Sequence, residues 1–112
     1  MKMNKTKAER LKKAGWKIGT VQDFFGLTPE EAALIEMKLS LARSLKQRRL
    51  AQGKSQIALA KALGSSQSRV AKMEAADATV SLELLVEGLL KLGASRQEVG
   101  RIIGRKLTTP AA

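Results

Sequence analysis

The 112 residues contain no cysteine and no histidine. That absence excludes disulfides, thiolate nucleophiles, zinc sites of the usual ligand types and histidine general bases. A reducing compartment therefore removes nothing from the chain. Aromatic side chains are nearly as scarce, the whole set being Trp16, Phe24 and Phe25. No run approaches the roughly 20 apolar residues that span a bilayer. The N-terminal MKMNKTKAERLKKAGW is positively charged but has no apolar core of signal-peptide length, which argues against secretion. The chain is expected to be soluble and cytoplasmic.

Negative charge is the most informative shortage. Between Glu36 and Glu74 there is no acid, yet nine cations stand there: Lys38, Arg43, Lys46, Arg48, Arg49, Lys54, Lys61, Arg69 and Lys72. The formal net charge is +11. A chain this basic attracts polyanions, of which nucleic acid is the usual one. Cations that only kept the protein in solution would not need to gather in one block.

Alternation of apolar and polar residues over strand length is also missing, whereas helix punctuation recurs. Thr28, Pro29 and Glu31 form a capping box at the start of EEAALIEMKLSLARSLKQRRLAQ, which carries Leu34, Leu41 and Leu45 and runs to Gly53. Ser55 caps a second helix with Leu59, Ala60 and Leu63 on its apolar face, and Gly64 stops it. Ser66 caps a short third helix through Met73. Ser81 caps LELLVEGLLKL, closed by Gly93. Ser95 and Glu98 box a fifth helix through Val99, Ile102 and Ile103 to Gly104. The expected fold is an all-α, five-helix bundle.

On a wheel of about 100° per residue, Val70 and Met73 of the third helix face inward. Gln67, Ser68, Ala71 and Lys72 then face outward, with Arg69 on the flank. Such a face suits the major groove: Gln pairs with adenine, Ser meets several base edges, and Ala meets a thymine methyl. The segment before it, SQIALAKALG, supplies a helix and a glycine turn, which together make the pattern of a helix-turn-helix over 55–74.

Residues from about Leu41 to Leu92 resemble the Xre/Cro family of lambda-repressor-like DNA-binding domains. The matching pieces are Gly53, Ser55-Gln56, Leu59-Ala60, Leu63-Gly64, Gln67-Ser68, Val70, Glu74, Ser81-Leu82 and Leu85. The resemblance implies that Gln56, Gln67 and Ser68 sit among phosphate- and base-contacting residues. The chain departs from the pattern at Lys54, where an apolar staple residue is usual, and at Ser65. It departs again at Ala76, where Gly is frequent, and at Ile57 and Ala58, which leave Ser55 without a capping-box partner. These departures bear on helix placement and stability. A preceding segment, GWKIGTVQDFFGLTPEE, resembles a subgroup of host-inhibition-of-growth (HigA-like) antitoxins, which bind a RelE-like ribonuclease toxin and repress their own operon.

The expected organisation is a basic extension with an aromatic cluster over 1–28, the DNA-binding domain over 29–104 and a tail over 105–112. The expected function is a sequence-specific double-stranded DNA-binding regulator, a repressor acting as a homodimer, with no catalytic residue, cofactor or metal. Base-edge contacts are assigned to Gln67, Ser68, Ala71 and Lys72. Phosphate contacts are assigned to Gln56, Ser66, Arg69, Arg43, Lys46, Arg49, Lys54 and Lys61. Trp16, Phe24 and Phe25 either cover the core or form a partner surface. The alternatives are an antitoxin that neutralises a toxin and a non-specific nucleic-acid binder. The GKS at Gly53–Ser55 is no P-loop, because Arg48 stands where the pattern needs Gly and no strand precedes it. Glu30, Glu31, Glu36, Glu83 and Glu87 form no paired-carboxylate site.

Overall fold

Serine and threonine caps set the helix starts in a computed structural model that describes residues 26–105. Helix α1 spans Pro29–Ala51. Its start is boxed, with the Thr28 N–H donating to Glu31 Oε1 at 2.9 Å and the Glu31 N–H donating to Thr28 Oγ1 at 3.1 Å. Helix α2 spans Gln56–Leu63, and Ser55 Oγ accepts from the Ala58 N–H at 3.0 Å. No acid lies in its first turn, so this cap has no reciprocal partner. Gly64 then takes a left-handed φ of 65°, and the Ser65 N–H reaches back to the Ala60 carbonyl at 2.8 Å.

Ser66 caps α3 (Gln67–Glu74), Ser81 caps α4 (Leu82–Lys91), and Ser95 with Glu98 boxes α5 (Arg96–Gly104). Among the described residues there are five helices and no strand. The first helix stops at Ala51, before Gly53, and the third runs one residue past Met73. No helix among them is long and apolar enough to cross a membrane.

The residues from Lys38 to Arg105 form one compact unit, and those described before Lys38 belong to another. The core of the larger unit is aliphatic, with Leu41, Leu45, Leu59, Val70, Met73, Leu85 and Leu89 essentially inaccessible. Each such side chain contributes about 1.5–3 kcal/mol through removal from water. Gly88 lies where α4 passes closest to its neighbours: a β-carbon there would fall 3.0 Å from Leu45 Cδ1 and 3.1 Å from Met73 Cε. Leu34, read with Leu41 and Leu45 as one apolar stripe, is 50% exposed, whereas Leu41 and Leu45 are fully buried.

The α3–α4 connection carries a conformational oddity. Ala76 has φ 54°, a left-handed value that costs an L-residue about 1–2 kcal/mol. The Asp77 carboxylate next to it accepts from the Thr79 hydroxyl (2.6 Å) and N–H (2.9 Å), which holds its pKa below the ordinary value.

Candidate nucleic-acid interface

Helix α3 has only eight residues, and two of them fix its rotation. Val70 and Met73 are fully buried, so their faces cannot turn outward. Gln67, Ser68, Arg69, Ala71 and Lys72 are all exposed, as the wheel requires. At its start the Ser66 hydroxyl caps the Arg69 N–H at 3.2 Å, which satisfies one of the orphan donors of the first turn. An open groove of about 340 Å³ runs beside this end, lined by Ser66, Ser68, Arg69, Lys72, Thr79 and Val80. Thr79 belongs to the α3–α4 connection and was not singled out by sequence.

A buried polar clamp holds α3 from its other end. Arg49 of α1 reaches Glu74, the last residue of α3, through two bonds of 2.5 and 3.0 Å. Its remaining amino group donates to the Lys54 carbonyl at 2.8 Å. Both side chains are nearly inaccessible, at 8% and 4%. Burial works to raise the Glu74 pKa, but hydrogen bonds from Arg49 and Gln56 and the charges of Arg49 and Lys46 outweigh it, and the carboxyl stays below its ordinary value. The hydrogen bond to Glu74 raises Arg49 above its own ordinary value against the opposing effect of burial. Gln56 extends the clamp, donating to Glu74 Oε1 at 3.1 Å and accepting from Gln67 Nε2 at 3.5 Å. The clamp therefore touches both ends of α3.

These contacts correct one assignment. Arg49 was grouped with the phosphate-contacting cations, yet it is 7% exposed and its guanidinium is engaged by Glu74 and Lys54. It is a structural ion pair. Gln56 is half-buried and committed to Glu74, so its position is fixed from within. Arg43, Lys46, Lys54, Lys61 and Ser66 are exposed. Trp16, Phe24 and Phe25 lie outside the described residues, as do residues 1–25 of the basic extension.

Residues 45–99 match the family model described as Helix-turn-helix. The matched segment contains α2, α3 and α4 whole. No curated protein and no solved structure gives a significant match to the chain. Within the matched segment, α2 and α3 are paired through the Gly64 turn, and α3 carries the outward polar face just described. The match supports DNA binding in the regulation of transcription. Glu74 is the domain residue that sequence reading undervalued. Its signal was its isolation, a single acid in a long basic block, which is what a buried counter-ion looks like in sequence.

Proposed function

We propose that the chain is a sequence-specific double-stranded DNA-binding repressor that acts as a homodimer in the cytoplasm. Helix α3 enters the major groove, with Gln67, Ser68, Ala71 and Lys72 toward base edges. Gln56, Ser66, Arg69, Arg43, Lys46, Lys54 and Lys61 serve the phosphates, and Arg49 does not. One helix of this length reads only a few base pairs. A dimer reading two half-sites about 34 Å apart restores specificity.

The observation that carries this reading is the union of an exposed, small and polar α3 face with a buried clamp that prevents the face from rotating. Pre-ordered side chains lose less freedom on binding, so more of each contact appears as affinity.

Fluorescence anisotropy against duplex from upstream of its own gene and against random duplex, from low to physiological salt, tests the proposal. The expected result is a preference of about 10³ or more that survives rising salt. Equal affinities that fall together would reduce the protein to a phosphate grip. The likeness of GWKIGTVQDFFGLTPEE to antitoxins adds a second role, neutralisation of a ribonuclease toxin. A toxin that stays active when mixed with this chain rules that role out.

A further inference from the structure

Arg48 and Arg49 are neighbours in sequence and therefore about 100° apart around α1. Arg49 turns toward α3, where it meets Glu74, and the Lys46 charge acts on the same carboxylate from that side. Arg48 turns the other way and meets Glu98 of α5 at 2.6 Å. The two flanks of α1 thus serve different faces of the domain. The flank toward α5 borders an open groove of about 550 Å³.

We propose that this groove binds an acidic segment of a partner protein, independently of the DNA reading. The argument is charge complementarity. Three guanidiniums line the groove, those of Arg48, Arg101 and Arg105, against one carboxylate, Glu98. Glu98 is already engaged on both oxygens, by Arg48 and by the Ser95 N–H of its own capping box. Arg101 and Arg105 are exposed and form no ion pair among the described residues. Arg101 stands on α5 three residues after Glu98, on the same side of the helix, and Arg105 follows the last helical residue with an extended backbone.

The planar guanidinium fork pairs bidentately with carboxylate, and two such forks lining one groove, Arg101 and Arg105, select closely spaced acids. Ala51 and Ile102 give the floor an apolar strip for the stem of a glutamate or a neighbouring aliphatic side chain. The groove is open along its length, whereas small-molecule sites close over most of their ligand. A chain segment lying across it fits that shape. A duplex seated on α3 would lie on the other flank of α1, which favours a protein over flanking phosphates.

The test uses the full chain and a fluorescein-labelled hexaglutamate peptide, read by anisotropy at low salt. Arg101→Glu with Arg105→Glu should weaken the peptide roughly tenfold, the scale of two exposed ion pairs. A charge-matched control, Lys61→Glu with Lys72→Glu, should change it less than about threefold, since screening blunts distant charges. Equal losses in the two variants would mean that only net charge matters, and the proposal falls. It also falls if the α5 variant weakens random duplex as much as peptide, because the groove would then grip phosphates. Amide chemical shifts supply an arm that needs no substitution. Peptide should move Ser44, Arg48, Arg101 and Arg105, and movement confined to residues 66–72 overturns the assignment. Should the double glutamate variant lose helicity, Arg101→Gln with Arg105→Gln repeats the comparison with a smaller expected loss.

Discussion

Glu74 shows how much one side chain can decide. Removing the partner of a buried charge leaves the survivor without water or counter-ion, which costs about 3–5 kcal/mol, while replacing both partners with apolar groups is often nearly neutral. Glu74→Leu and Arg49→Met should therefore each lower stability by about that amount, and the double variant Arg49→Met with Glu74→Leu should lower it less than either single change. Chemical denaturation measures all four proteins; a double variant as unstable as the sum of the singles would show that the pair does not act as a unit. The pH dependence follows with a definite sign. A carboxyl whose folded pKa is depressed adds stability above its unfolded value, about 4.3 for Glu, and loses it as pH falls through the folded value. Stability should hold across neutral pH and decline below about pH 4, and the Arg49→Met, Glu74→Leu variant should decline less steeply. Ala76 offers a gain instead. Glycine adopts φ 54° without the β-carbon penalty, so Ala76→Gly should stabilise by about 0.5–1 kcal/mol after its greater unfolded-state entropy is subtracted. Thermal denaturation should show a rise of a few degrees, and a fall would mean that the left-handed residue carries no strain here.

At the level of the helix, what matters is that α3 presents one face and holds it. Gln56 is the hinge of that arrangement, bonded to Glu74 at one end of α3 and to Gln67 at the other. Because Gln56 both serves a phosphate and holds Gln67, Gln56→Ala should weaken random duplex slightly and operator more, so that discrimination between them falls. Anisotropy on both duplexes decides this, and equal losses would return Gln56 to a plain phosphate contact. The orientation of α3 was legible in sequence because Val70 and Met73 fall on one side of a 3.6-residue wheel and no other apolar pair in the segment competes. The starts of α2 to α5 were legible because each has a serine whose hydroxyl can reach the N–H three residues on. The Arg49–Glu74 pair was not. Its partners stand 25 residues apart on different helices, and nothing local distinguishes Arg49 from the exposed Arg43 or Lys46. The close approach at Gly88 was hidden for a similar reason: a glycine inside a leucine-rich helix reads as a weak helix former until the neighbouring Leu45 and Met73 are placed.

For the whole molecule, the question is which of the 21 basic residues meet DNA, since net charge alone cannot tell a phosphate contact from a counter-ion. Salt dependence separates them. Each phosphate neutralised releases condensed counterions and contributes about 0.9 to the slope of log affinity against log salt. Lys46 is exposed on the flank of α1 that faces Glu74, so Lys46→Ala should weaken operator and random duplex alike and flatten the slope by about 1. Arg49 stands three residues further on and is buried against Glu74, so its replacement should lower the melting temperature, and the slope measured on the folded fraction should stay at its original value. The two outcomes are opposite for cations separated by less than one helical turn. Anisotropy over a salt series, run beside thermal denaturation of the same two variants, distinguishes them. A flattened slope for Arg49→Met with unchanged melting would place that guanidinium on DNA and break the clamp on which the orientation of α3 rests.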